Sequence, residues 1–282
     1  MEDNKQFIET LGAQYSDPDL RDYKIATASL MTEFPEEFEL DLMPPVKNQG
    51  FVGSCVAHSI TTVAEYYNKR QHNIDNELSV GYVYGNRVWP LNTTPGMITR
   101  FAISNFCADG TPYFSDFPLH CEVPDIIDEV AKKKDELHDK ARLCRFTSYV
   151  HVSTEQEMKT ALMDGNPIII AVDWYANTKV KDGKVQSDRK KKTGGHAMVI
   201  YGWDKDGWKI QNSWGIFWGD GGKAIWPYEY KIRESYAIID TEDTHLDIDK
   251  PFSTNSKFGK WCIRVLNKIY SVIYSIHYKL KH

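Results

Sequence analysis

The chain lacks most of the features that announce a common protein class. No stretch of its 282 residues approaches the roughly 18 consecutive apolar residues of a membrane-spanning helix. Its start, Met1-Glu2-Asp3-Asn4-Lys5-Gln6, has neither the basic nor the apolar character of a secretory leader. These two absences predict a soluble, cytoplasmic protein. The five cysteines (55, 107, 121, 144 and 262) form no CxxC pair and no regular spacing, which argues against a disulfide framework and for a reducing compartment. There is no GxSxG elbow and no HExxH pair. A phosphate loop over Gly215–Lys223 fails because Phe217 stands where the first glycine is needed and Ala224 where a hydroxyl must meet magnesium. Cys107, His120, Cys121 and Cys144 match no zinc framework, and Cys55-x-x-His58 lacks two further ligands. No metal, organic cofactor or nucleic-acid partner is expected, and the oligomeric state is not legible.

What is present suffices for a packed interior: 41% apolar and 13% aromatic residues argue against disorder. The net charge of −5 is unevenly spread. Residues 1–41 carry eleven acids against three Lys/Arg, and residues 257–282 carry six Lys/Arg and no acid. Residues 1–33 are weakly patterned and read as an acidic N-terminal extension. From Phe34-Pro35 to Pro44-Pro45 the prolines impose an extended approach.

The stretch Gln49-Gly50-Phe51-Val52-Gly53-Ser54-Cys55 is a glycine-punctuated turn leading into an apolar helical run that reaches about Arg70, with Ser54 as N-cap. A thiol placed at a helix N-terminus is a candidate nucleophile, because the dipole favours the thiolate. His58 reads as a core histidine. Short helical segments are predicted over 77–89 and 97–106, and the lysines at 132–134 read as a solvated face. Up to about residue 148 the chain is mainly helix and loop.

Beyond that it changes to strands: Tyr149–Val152, then a helix from Thr154 to Met163, then Pro167–Val172, a hairpin at Lys181–Lys184, and paired runs at 196–203 and 207–212. Helix first and sheet second predicts an α+β fold. The division is 1–33 extension, 34–148 helical lobe, 149–245 β lobe, and 246–282 linker plus a basic amphipathic helix. That helix, residues 257–282, offers a contact for a partner or, less readily, a membrane surface.

A cysteine nucleophile needs a base, and the base needs a third group to orient it. His196 opens an apolar strand after Gly194-Gly195, and Asn212 closes the next one, sixteen residues later. The asparagine carbonyl can accept from one imidazole nitrogen while the other faces the thiol, with Trp214 as a shield. Gln49, six residues before Cys55, supplies an amide donor for an oxyanion.

These pieces, Pro45-Val46-Lys47-Asn48-Gln49-Gly50, Gly53-Ser54-Cys55, His196-Ala197, Asn212-Ser213-Trp214-Gly215 and Trp218-Gly219, resemble the papain-like cysteine proteases in identity and order. The resemblance extends over about residues 34–240. It implies a two-lobe fold, a helical N-terminal lobe and an antiparallel β-barrel-like C-terminal lobe, with the active-site cleft between them. It also implies Cys55 as nucleophile, His196 as base, Asn212 as orienting residue and Gln49 as oxyanion donor, acting on a peptide or protein substrate. By the same resemblance Gly96 holds an extended substrate, Ala171 and Ala197 line the main specificity pocket, and Trp218 flanks the leaving group.

Val52, Val56 and His58 depart from the family's usual disulfide cysteine and aromatics, and the usual long pro-region is not seen. Autoinhibition, if built in, would then fall to the acidic N-terminal arm lying in the cleft. Transfer of the acyl group to an amine uses the same residues. The alternative from another class is a catalytically silent papain-fold protein that binds peptides or partners.

Overall fold

A computed structural model describes residues 11–17, 19, 25, 30–87 and 95–240. The amphipathic segment at 257–282 and the linker before it lie outside the described residues, as does Trp89.

In chain order the first strand is β1 (Ala13–Gln14), followed by β2 (Phe38–Glu39), helix α1 (Cys55–His72), α2 (Val80–Gly85), β3 (Met97–Ile98), α3 (Thr99–Asp109) and α4 (Ile126–Arg142). Then come β4 (Ser148–His151), α5 (Glu155–Met163) and the strands β5 (Ile168–Tyr175), β6 (Lys179–Lys181), β7 (Lys184–Gln186), β8 (Lys192–Trp203), β9 (Gly207–Gln211), β10 (Lys223–Pro227) and β11 (Ile232–Ile239). The α+β class holds, with helices before sheet. The large sheet runs β4-β11-β5-β8-β9-β10-β7-β6, with β2 added beside β8. All its pairs are antiparallel except β7 with β10. Its order is an open path rather than a closed ring, so the barrel-like expectation reduces to a mostly antiparallel sheet.

The centre of that sheet is β5 against β8. Ile168, Ile169, Ile170, Ala171 and Val172 are all fully buried, which suits a β-branched run covered on both faces. α1 is buried along almost its whole length, from Cys55 to Asn68. It ends where Asn73 adopts a left-handed conformation (φ 55°) and its N–H closes on the Asn68 and Lys69 carbonyls, with Lys69, Arg70 and His72 in the last turn facing the negative dipole end. Its other end departs from expectation. Ser54 holds the cap position without a side-chain cap bond, and its hydroxyl lies 3.3 Å from His58 Nδ1 instead. α5 starts with a full capping box, Thr154 with Glu157.

Several local expectations shift for tertiary reasons. The helical pattern predicted over 97–106 begins two residues later, because Met97–Ile98 pairs in parallel with Ala13–Gln14. The basic run at 189–192 is tied to the fold at both ends. Arg189 lies over the Tyr230 ring, and Lys192 opens β8 and binds Asp173 at 2.5 Å. Lys134 leaves the solvated face to reach Asp109 at 2.8 Å.

Trp203 ties the extended approach to the sheet. It is fully buried, stacks on Phe38 at 5.0 Å, meets Phe34 edge-on at 6.2 Å and donates its indole N–H to the Pro35 carbonyl at 3.2 Å. Trp203→Ala should cost about 3–5 kcal/mol, read as a lower denaturation midpoint; a loss under about 1 kcal/mol would mean that the site collapses to fill the gap.

Candidate active site

Three segments converge. The turn before α1 supplies Gln49 and Cys55, β8 supplies His196, and the loop after β9 supplies Asn212. The turn is stitched to the asparagine loop by backbone bonds from Gln49 N to Ser213 O (2.8 Å) and from Gly215 N to Lys47 O (2.9 Å), with an antiparallel bridge between Asn48 and Trp214. Gly50, at φ +59°, makes the turn that only a residue tolerating left-handed backbone allows.

His196 Nε2 lies 2.7 Å from Asn212 Oδ1, which also accepts the Ser213 N–H at 2.8 Å. An amide oxygen can only accept, so Nε2 carries the proton and the tautomer is set. Nδ1 is buried without a hydrogen-bond partner among the described residues. The Trp214 ring stacks on the imidazole at 4.3 Å, as expected of a shield, and Trp174 meets it edge-on at 5.2 Å. Trp174 was not legible as a site residue; it merely ends an apolar strand in the sequence.

Backbone N–H groups of Ala197, Gly12, Val56 and Cys55 itself lie near the Cys55 sulfur, where they favour the thiolate. The Ala197 contact places the thiol beside the strand that carries His196. Burial nevertheless dominates: Cys55 is 0% exposed, and its pKa is pushed up, with those N–H groups opposing the shift. The same burial lowers His196 to about 4, against the raising effect of Asn212. The helix N-terminus therefore does not win here, contrary to the sequence expectation. In this state thiol and imidazole are both neutral.

The cause of the burial is the N-terminal arm. Residues 11–16 run between the walls, with Gly12 at the thiol. Gly12 accepts from Met97 N at 2.8 Å, and the Gln14 side chain donates to Pro95 O at 3.0 Å. Tyr15 donates to Val172 O (2.7 Å) and Asp173 (2.9 Å), and Ser16 gives its N–H and hydroxyl to Glu234, both at 2.6 Å. Close approach explains the glycines on both sides. A Cβ on Gly12 would lie 1.9 Å from Gly53 O, one on Gly96 2.3 Å from Gly12 O, and one on Gly195 2.1 Å from Ala13 O. For Asp173, burial raises the carboxyl pKa, yet hydrogen bonds from Lys192 and Tyr15 and the charges of Lys192 and Arg233 outweigh it and hold it below the usual value.

The remaining expected residues fall around this core. Gln49 is 2% exposed, accepts the Ser213 hydroxyl at 2.6 Å and donates to Val52 O at 2.9 Å. Gly96 lies against the arm. Ala171 and Ala197 are cross-strand partners, both fully buried and next to the Val172–His196 pair. Trp218 is half-buried near Trp214, with ring centroids 5.8 Å apart.

Two buried histidines make the fold acid-sensitive. His196 is lowered to about 4 and His58 to about 3, chiefly by burial. In the unfolded chain both take a proton below about pH 6.5, whereas the folded chain resists, so stability is full above that value and is lost as pH falls towards 4. The unfolding free energy should drop between pH 7 and 4.5 by on the order of 2 kcal/mol per histidine, and part of the slope should vanish in His196→Asn. A flat profile would contradict the assignment.

Residues 109–231 match the sequence profile described as papain family cysteine protease. Among curated relatives, mouse cathepsin O is 27% identical over 190 residues, 64% of this chain and 58% of that protein. Ananain from Ananas comosus is 30% identical over 191 residues, 63% of this chain and 50% of that protein. A peptidase C1-like protein of Acanthamoeba polyphaga mimivirus is 24% identical over 211 residues, 67% and 66% of the two chains. The chain thus spans about half to two thirds of the length of these relatives. Of solved structures, Xylellain, a cysteine protease from Xylella fastidiosa, superposes with TM-score 0.69 at 23% identity, covering 82% of this chain and 96% of the other. A procathepsin B from Trypanosoma congolense does so with TM-score 0.63 at 15% identity, covering 85% and 89%. At those identities the likeness speaks for a shared fold.

Proposed function

We propose that the chain is a papain-family cysteine peptidase working through Cys55 and His196. The observation that carries this reading is the His196 imidazole, held through Nε2 by Asn212 at 2.7 Å with Nδ1 left unpartnered, beside a thiol at the start of α1. With the arm displaced, water and substrate dipoles reach both groups, and the burial that keeps them neutral is relieved. The thiol proton then passes to Nδ1. The thiolate forms a C–S bond to the substrate carbonyl carbon, and the oxyanion takes the Cys55 N–H and the Gln49 amide. The C–N bond breaks as Nδ1 returns its proton to the leaving amine. A water deprotonated by the same nitrogen attacks the thioester, and acid and thiol are released.

The arm acts as an inhibitor built into the chain: it spans both walls and seats Gly12 on the nucleophile. Gly96, Ala171, Ala197 and Trp218 are the residues a substrate would meet once it leaves. The covered cleft also favours a second reading, a silent papain-fold protein whose cleft binds its own arm. Trace iodoacetamide at mildly acidic pH separates the two in Gly12→Val, whose new side chain meets Gly53 O. A peptidase gives selective labelling of Cys55 that is lost when His196→Ala is added; uniform or absent labelling supports the silent protein.

A further inference from the structure

On the other side of the turn that carries Gln49 lies a partly open cavity of about 400 Å³, lined by the Pro44–Gln49 segment, the turn at 74–77 and the loop at 119–122. None of Cys55, His196 and Asn212 lines it. Its apolar wall includes Val46, Ile74, Val80, Phe114 and Leu119. On its floor Lys47 pairs with Glu65 at 2.6 Å, their side chains only 12% and 8% exposed. That ammonium is thereby committed, and Glu65 also accepts the Leu78 N–H at 2.8 Å. Asp75 is matched by Lys69 at 2.9 Å. Glu77 and Glu122 remain at the rim, with His120 beside them, and no ion pair among the described residues neutralises either acid. The carboxylate of Glu77 acts on Glu65 to raise its pKa further, a smaller effect than burial.

A second observation points to a ligand. His58 is 6% exposed and lines the cavity. Its Nδ1 lies 3.0 Å from the Ser54 carbonyl, which can only accept, so Nδ1 carries the proton and Nε2 is a bare acceptor. Nε2 has no hydrogen-bond partner among the described residues. Burial lowers the ring to about 3, so it stays neutral near pH 7. The cavity therefore offers a buried acceptor, surplus negative charge and an aromatic face on Phe114, which is the complement of a cation with N–H donors and an apolar body.

We propose that this cavity binds a small organic cation, an amine or amidine on an apolar body, with an N–H group donated to His58 Nε2 and the charge held by Glu77 and Glu122. Calorimetry on the full chain tests it with benzamidine and its near-isosteric neutral counterpart benzamide. Benzamidine should bind once per chain, and benzamide about tenfold more weakly or less. The exposed pair E77Q/E122Q should weaken benzamidine by about fivefold or more with an unchanged melting temperature, while Cys55→Ala should leave its affinity intact. Equal affinity for the two probes, unweakened binding in E77Q/E122Q, loss of binding in Cys55→Ala, or no heat from benzamidine up to about 5 mM would each overturn the assignment.

Discussion

Gly12→Val is expected to raise peptide hydrolysis by the full chain on the order of 100-fold, and deletion of residues 1–33 should do at least as much. A Cβ at position 12 would lie 1.9 Å from the Gly53 carbonyl and 2.4 Å from its carbon, both backbone atoms that cannot swing aside. The arm must then lift from the thiol, and the bonds of Tyr15 to Val172 and Asp173 and of Ser16 to Glu234 follow. Net of ordering, two or three such bonds give about 3 kcal/mol, which holds the open fraction near 1%. Releasing the arm removes that restraint without touching a reacting group. Tyr15→Phe should give a smaller gain, because it loses two bonds and leaves the backbone seat intact. Hydrolysis of a quenched-fluorescent peptide library measures all three. Rates unchanged from the parent chain would dismiss the arm as an inhibitor.

In that arm-released background Cys55→Ala should abolish hydrolysis, and His196→Ala should lower kcat by about 10³-fold or more, since the nucleophile and its base act as one unit. Asn212→Ala should retain more activity, with a fall of roughly 10- to 100-fold. It removes one hydrogen bond to the imidazolium, worth about 1.5–3 kcal/mol, and leaves Trp214 stacked on the ring. The grading is the informative part. Equal rates for Cys55→Ala and its parent would sink the peptidase reading, whereas an Asn212→Ala loss as large as that of His196→Ala would mean that the ring turns away once its Nε2 partner is gone.

The arm and the cavity show where sequence reasoning runs out. Gly12 is one small residue in a weakly patterned, acidic stretch, and its importance exists only because Gly53 and Gly96 close around it from distant parts of the chain. Tyr15 reaches Val172 across 157 positions and Ser16 reaches Glu234 across 218, separations at which no local pattern can speak. His58 was legible as a core histidine, and the structure half agrees: one nitrogen is satisfied locally by Ser54, and the other faces a space made by three separate segments.

What the sequence by itself determined is a set of candidate groups and their order. Side-chain identity and order along the chain single out Cys55, His196, Asn212 and Gln49, and the switch from helical to strand periodicity sets the α+β order. These depend on residue type and short-range spacing, which a linear string preserves. Only the tertiary structure decided the state of those groups. Whether Cys55 sits as thiolate or thiol depends on water and charge around it, and the arm folding back over the cleft excludes the water, raising the thiol pKa and lowering that of His196 to about 4. Burial belongs to the assembled chain and to no residue within it, so the reactive parts are written in sequence while their resting neutrality is written in packing.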